Sequence, residues 1–590
     1  MLVRDFSRSF SPLPLHPEAP APDDGRMSAS VVKDLFLGEL SAAAVLPFPF
    51  LDPERAELLA MVRETLDRFA ADKIDPDAID QAHAIPQEVL DGLAEVGLFG
   101  LRISEDYGGL DLNTSQYVRV GVDLARYDGA TAILSGGHST IGIKALLLRG
   151  SDEQKQRYLP RLATGELKAA FALSEPDAGS DAQALRCTAT RRDDGSYVLN
   201  GEKLWITNGG LADLITVFVR TPDHPRDDGR PSISCFLVER SMGYVPGAEE
   251  DKLGICGSST VPLLFEDVVV PAENMLGPPG DGFRLALEVL NSGRTGLAGN
   301  CLGAGRFILK EAARYAAERE QFGQPIARFE LIQEKLARMA QDLHALECML
   351  FLTTGLMDRE GSDAAAEFAL ESALCKIFGT ETLWSVVNDA VQIAGGNGFT
   401  SDYPFGRMLR DARVNMIFEG TNEILRIMVA TTGAAEAGRR AGGAGVEPMS
   451  PYGRRISGSE GPDPLPVPAA LQAEALALAM GGSELAVSTA RAVQQHGKGL
   501  RARQLVCAAL SDQAMAIYAQ AAVLSRASAV FESLGEEAAA DELLLAQGAC
   551  RRQSRAARAA SDRLRDNDDE LLVTTAELVS RLGGPLGERM

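Results

Sequence analysis

Apolar residues recur at helical spacing from about residue 30 to 170, as in ERAELLAMVRETLDRFAADKI, where Leu58, Leu59, Val62, Leu66 and Phe69 return every three or four positions. From 171 to 280 the rhythm changes to short β-rich runs (DLITVFVRT, SISCFLVER and VPLLFEDVVVP) divided by Gly, Pro and Asp turns, which predicts a compact sheet or barrel. Helical period returns after Gly282 and is clearest where Ile332, Leu336, Met339, Leu343, Leu346 and Leu350 alternate four and three apart, the seam of a helical bundle. Residues 431–465 lose the apolar period and fill with Gly, Pro and Ser, the composition of a linker, and an Ala-rich helical region follows from 466 to 590. Residues 1–29, proline-rich and acidic, read as a disordered tail, with Met27 opening the first periodic stretch. The expected fold is therefore α+β and multidomain. An N-terminal helical domain (30–170) precedes a β domain (171–280), a helical bundle (281–430), a linker (431–465) and a C-terminal helical domain (466–590).

Composition narrows the partners. A chain of 590 residues exceeds what one hydrophobic core serves. With 58 basic against 82 acidic residues, the net charge of -24 opposes nucleic acid and anionic membrane as whole-surface partners. The eight cysteines (187, 235, 256, 301, 348, 375, 507 and 550) form no C-x-x-C pair and have no histidine cluster beside them, so neither a disulfide framework nor a metal site is expected and a reducing compartment fits. No uninterrupted apolar run approaches the roughly 18 residues of a membrane span, so a soluble chain is expected. The basic run RRQSRAARAASDRLR at 551–565 reads as a solvated helix face, leaving at most weak peripheral membrane contact.

Five short stretches could carry chemistry, and each has a plain structural reading beside the functional one. GGNGFTS at 395–401 follows a helical run and lacks the third glycine of a dinucleotide fingerprint, so it reads as a helix-ending turn or as a close approach to phosphates. FALSEPDAGSD at 171–181 exposes backbone N–H groups and hydroxyls in a turn, either a surface connection or an anion cradle. EKLWITNGG at 202–210 holds one of two tryptophans, suited to a sheet core or to a flat heteroaromatic ring. In RYAAEREQFGQPI, Arg319 ends a helix, where it favours the dipole or grips a pyrophosphate. In IFEGTNEIL at 417–425, Glu419 precedes a helix start at which Thr421 can cap; the reciprocal cap is imperfect, because Ile424 stands where Glu or Gln belongs.

These motifs occur together in one order across a helix–sheet–helix plan. SEPDAGSD, LWITNGG, REQFG, QIAGGNGF and IFEGTNEI resemble, in kind and spacing, the motifs of the acyl-CoA dehydrogenase family, and the long C-terminal extension with VKDLFLGEL, LNSGR and AVLSRAS is similar to its very-long-chain branch. The resemblance implies FAD as cofactor. Phe171, Leu173, Ser174, Gly179 and Ser180, with Trp205, Ile206 and Thr207, would lie along the flavin. Arg319, Gln321, Phe322, Gln392, Gly395 and Gly396 would hold its pyrophosphate and adenosine across a homodimer interface, with Thr421 and Glu423 touching it again. Ser180, Asn291, Arg294, Phe418 and Gly420 would meet the acyl-CoA. Glu419 would be the catalytic base that removes the proton next to the thioester carbonyl, giving a trans-2-enoyl-CoA in fatty acid β-oxidation.

The resemblance further implies electron-transfer flavoprotein as acceptor, and a place in the cytoplasm of a prokaryote or the mitochondrial matrix or inner membrane of a eukaryote. An oxidase using oxygen, and a non-catalytic assembly protein on the same fold, are the alternatives. Asp177 departs from the small residue usual in EPxxGSD and adds a charge there. Gly121, Ala125, Ala130 and Ala132 either leave room for a long acyl chain or allow close helix packing.

Overall fold

The computed structural model describes residues 29–226, 229, 232–361, 364–440 and 463–582. They divide into two units, residues 48–422 and residues 29–47 with 423–582. In the first unit the amphipathic helix Pro53–Lys73 starts where Asp52 accepts a hydrogen bond from the Arg55 N–H, and it buries Leu59, Leu66 and Ala70. Helix α1 (Thr114–Ala125) is capped twice. Asn113 and Gln116 form a reciprocal box, and the Asp358 carboxylate accepts the Thr114 and Ser115 N–H groups at 2.8 and 2.9 Å.

The sheet comprises β1 (Ala169–Ala172), β2 (Thr188–Arg191), β3 (Tyr197–Thr207), β4 (Leu214–Arg220), β5 (Ile233–Glu239), β6 (Val245–Pro246), β7 (Thr260–Val270) and β8 (Met275–Leu276). Its order is β6-β7-β3-β2-β4-β5-β8, with β1 added in parallel on β4. Strands β4 and β5 are buried along their length except at the last residue. The cause is burial on both faces: Ile215, Val217 and Phe236 belong to one core, while Leu214, Phe218 and Leu237 pack with Tyr158, Leu162, Leu285 and Val289 of flanking helices. Two-sided burial explains why these strands read as continuous apolar runs instead of alternating ones.

Three long helices follow in this unit, α2 (Gly282–Glu318), α3 (Glu330–Glu360) and α4 (Ala369–Ala394), and α2 packs along both of the others. The expected seam on α3 tightens along its length. Ile332 and Leu336 are only half buried, whereas every residue from Asp342 to Met357 is buried.

The second unit corrects three boundaries. Residues 30–47, expected within the N-terminal helical domain, group instead with the C-terminal helices. Val31, Val32, Leu35 and Phe36 are almost wholly buried there, and the Phe36 ring lies so close to Gly433 that a Cβ on that glycine would be 2.3 Å from it. Asp34 pairs with Arg440 at 2.8 Å. The expected linker also begins too early, since helix α5 (Asn422–Arg440) runs through 431–440, and residues 441–462 lie outside the described residues, as do residues 1–28 of the expected tail. Finally, the helix that would complete the 281–430 bundle belongs from Glu423 onward to this second unit. One helix here, Gln504–Leu534, is long and apolar enough to cross a membrane by length and composition, but 83% of its most apolar window is buried in protein against the helices Gln472–His496 and Ala540–Arg565.

Candidate active site

Glu419 sits in a turn that few side chains adopt. Its φ is 55° and that of Gly420 is 92°, two successive left-handed residues just before α5. Glycine takes this region freely, but a residue with a Cβ pays about 1–2 kcal/mol, so the surroundings must hold Glu419 there. They do so through Lys376 of α4, whose Nζ donates to the Gly420 carbonyl at 2.9 Å and to Asn422 Oδ1 at 2.8 Å. Arg294 of α2 adds a long 3.5 Å contact from Nε to the Glu419 carbonyl, while its Nη1 donates to Asn291 Oδ1 at 2.6 Å.

The Glu419 carboxyl lies against α2 at Gly293. A Cβ on that glycine would stand 2.9 and 3.0 Å from the two carboxylate oxygens and 3.0 Å from Ile141. One oxygen, Oε2, is buried without a hydrogen-bond partner. Burial raises the carboxyl to about 7, against the opposing charges of Lys376 and Arg294. Burial also lowers Lys376 to about 8 and Arg294 to about 10. Among the described contacts, neither cation is hydrogen-bonded to the carboxylate. The arrangement supplies a half-neutral acid, poised near neutral pH, with an unsatisfied oxygen.

The 171–181 and 202–210 stretches meet over a second buried pair. Lys203 on β3 has a fully buried side chain whose Nζ donates to Glu175 Oε1 at 2.7 Å and to the Leu173 carbonyl at 3.0 Å. Glu175 also accepts the Arg186 and Cys187 N–H groups, and the Leu204 N–H donates to the Ser174 carbonyl at 2.9 Å. Between Lys203 and Ile206 the pairing with β7 shifts register, a bulge that carries Trp205 at φ 56° out of the sheet. Trp205 is 59% exposed, so the reading of it as a sheet-core tryptophan is overturned. Phe171 and Leu173 are buried in the core shared with the flanking helices and Ile206 in the other core. Thr207 and Ser174 are half buried, and Gly179 and Ser180 are exposed. Asp177 is exposed and paired with Arg186 at 2.9 Å, which offsets its extra charge.

Of the remaining motif residues, those of the 319–322 and 392–396 stretches form exposed rims. Arg319, Gln321 and Phe322 lie at the short β9 (Glu320–Gln321) and β10 (Gln324–Pro325) hairpin, with Phe322 94% exposed at φ 52°. Gln392, Gly395 and Gly396 end α4, where neither glycine has an atom within 4 Å of an added Cβ. Phe418, Gly420 and Thr421 are half buried around Glu419, and Glu423 is exposed in the first turn of α5. Asn291 and Arg294 are both buried and engaged with each other.

Lys376 and Lys203 are absent from the expected site, while Gly293 and Asn422 fall inside its expected segments 291–294 and 421–423 without a role of their own. Lys376 carried a signal, a lone lysine inside the apolar run SALCKIFG; Gly293 stands in the LNSGR stretch, but only the packing of α2 puts it opposite Glu419. Farther along the same helix lies a cavity of about 40 Å³ whose lining includes Ala125, Ile133, Cys301, Ala304 and Leu383. Ala125 thus borders open space, whereas a Cβ on Gly121 would stand 3.0 Å from Asn300 Oδ1, Ala130 packs toward Gly257, and Ala132 is buried.

Residues 57–166, 170–268 and 280–433 match the N-terminal, middle and C-terminal domains of acyl-CoA dehydrogenase, and residues 470–581 match the ACAD9/ACADV C-terminal domain. The chain is 39% identical over 544 residues to the mitochondrial very long-chain specific acyl-CoA dehydrogenase of Macaca fascicularis, covering 89% of this chain and 82% of that protein. A Bacillus subtilis acyl-CoA dehydrogenase is 39% identical over 62% of this chain and 96% of its own length. Among solved structures, an acyl-CoA dehydrogenase complexed with FAD from Bacillus anthracis has a TM-score of 0.79 at 31% identity, over 93% of this chain and 94% of that one. The family's domains thus run in order along nearly the whole length, with the unsatisfied carboxyl in the last of the three catalytic-region matches, and the chain belongs to the acyl-CoA dehydrogenase family.

Proposed function

We propose that this protein is an FAD-dependent dehydrogenase of long-chain acyl-CoA thioesters that hands its electrons to an electron-transfer flavoprotein. The observation that carries this reading is Glu419, half buried as a residue, with its carboxyl raised to about 7 and its Oε2 atom buried and unpartnered. The surrounding residues fit a flat cofactor. Trp205 is turned out of the sheet by a bulge, and Gly179, Gly395 and Gly396 leave open space where side chains would otherwise stand. Ser174, Ser180, Trp205 and Thr207, with the main chain of Phe171, Leu173 and Ile206, would hold the ring end; Arg319, Gln321, Phe322, Gln392, Gly395 and Gly396 would hold the phosphates and adenosine. Bound FAD supplies the hydride acceptor.

Glu419 takes the proton from the carbon next to the thioester carbonyl. A carboxylate is a weak base toward an unactivated C–H bond, so the thioester oxygen must be polarised, and the backbone N–H of Glu419 is the donor we assign from this chain. Burial brings the base closer in strength to its task. Gly293 and the Lys376 contacts keep the carboxyl in place. A preference for long substrates is supported by the 39% identity to a very long-chain specific acyl-CoA dehydrogenase and by the match of residues 470–581 to the ACAD9/ACADV C-terminal domain. The 94% and 91% exposure of Phe322 and Phe399 supports a second copy covering that rim, as a homodimer would.

Purified protein should be yellow and should bleach anaerobically with palmitoyl-CoA, faster than with butyryl-CoA. Glu419→Gln should keep the colour and lose the bleaching. A variant that still bleaches at the wild-type rate ends this reading, and stoichiometric peroxide in air would replace the flavoprotein acceptor with oxygen.

A further inference from the structure

Lys376 is a fully buried cation inside α4 that takes no proton, hydride or substrate contact in the proposed reaction. Burying an ammonium is costly unless its hydrogen bonds and charge find partners. Its two protein acceptors are the carbonyl of the residue after Glu419 and the Asn422 side chain at the start of α5. Asn422 is in turn fixed from the other side, because its Nδ2 donates to Thr380 Oγ1 and to Glu381 Oε1, both at 3.1 Å. Lys376, Thr380 and Glu381 of α4 therefore clamp Gly420 and Asn422, and through them the left-handed pair at 419 and 420.

We infer that Lys376 is a positioning residue for the dehydrogenation, fixing the Glu419–Gly420 peptide through hydrogen bonds and keeping the ionised form of Glu419 accessible through its charge. The inference rests on Glu419 being the base. The two contributions are physically separate. The hydrogen bonds hold geometry, while the charge acts across space on a carboxyl to which the ammonium is not bonded. Lys376 shares this role with Arg294 of α2, the other cation that acts on Glu419. Tyr117 of α1 and Cys301 of α2 face the same carboxyl, and Glu381 faces Lys376. Of the two cations that oppose the rise caused by burial, Lys376 holds the turn more closely, with bonds of 2.9 and 2.8 Å against the 3.5 Å contact of Arg294.

Lys376→Gln retains two N–H donors and loses the charge; Lys376→Met loses both. In the FAD-loaded enzyme, the ionisation of Glu419 is followed in two ways. One is the pH dependence of anaerobic bleaching by palmitoyl-CoA. The other, without substrate, is the infrared band of the protonated carboxyl that vanishes in Glu419→Gln. In both variants the midpoint should rise by about one unit by either readout. The high-pH plateau of bleaching should stay near wild type in Lys376→Gln and fall about 10- to 100-fold in Lys376→Met. Midpoints and plateaus equal to wild type in both variants overturn the inference. If Lys376→Met does not accumulate as folded protein, an unmoved midpoint in Lys376→Gln overturns the charge contribution by itself. Full bleaching by Glu419→Gln would instead remove the base on which the inference rests.

Discussion

The first unit sets two glutamates near lysines, Glu175 buried and Glu419 half buried with its Oε2 enclosed, and treats them oppositely. Glu175 is bonded directly to Lys203 at 2.7 Å and takes two backbone N–H groups as well, and these contacts hold it below the usual carboxylate range against its burial. Glu419 lies within the influence of Lys376 and Arg294, but those cations spend their hydrogen bonds on backbone and asparagine, so burial prevails and the carboxyl rises to about 7. A buried acid that is fully paired becomes a fixed ion and a structural tie. One whose partners are held just out of bonding reach stays convertible between its two forms, which is what a base near neutral pH requires.

The contrast can be broken from the Glu419 side first. Glu419→Gln should lower the rate of flavin reduction by on the order of 10²–10⁴-fold. Because the folded carboxyl is raised above its unfolded value of 4.5, the native state binds the extra proton between those points, and that carboxyl's contribution to stability falls as pH rises toward 7. Removing the charge should therefore stabilise the protein above pH 7, by on the order of 1 kcal/mol per unit of displacement, seen as a higher Tm. A lower Tm would show that the ionised carboxyl is not strained. For the wild type, activity that needs the ionised form should climb with pH through about 7.

From the other side, Lys203→Met should leave a buried, unpaired Glu175 and cost about 3–5 kcal/mol in denaturant unfolding, with lost flavin binding as a consequence. A loss of activity at unchanged stability would mean that this pair is chemical after all. Gly293→Ala tests the fit of the free carboxyl. Its added carbon has no room beside the two oxygens, and a fall of about 10- to 100-fold in turnover with little change in Tm is expected. Asp177→Ala breaks only an exposed pair, so neither Tm nor turnover should move measurably.

Much of this protein is readable in order along the chain. The two-sided strands, the helical seam through Leu343 and Leu350 and the turn-forming motifs each reflect local chemistry, in which apolar period and glycine placement act over a few residues. Trp205 was not readable, because its direction depends on a register shift against β7, sixty residues away in sequence. The fate of residues 30–47 was not readable either. Their apolar period states that they bury a face but not against what, and the answer is Gly433 and the C-terminal helices.

Glu419 marks the boundary between the two kinds of information. The chain by itself determines that an acid precedes a glycine at a helix start, because the residues of a turn are neighbours in sequence. Only the tertiary structure decides that one oxygen of this acid is enclosed, that Gly293 makes space for it, and that Lys376, forty-three residues earlier, grips the next carbonyl without neutralising it. Burial and charge act through space, and distances through space are set by how helices pack.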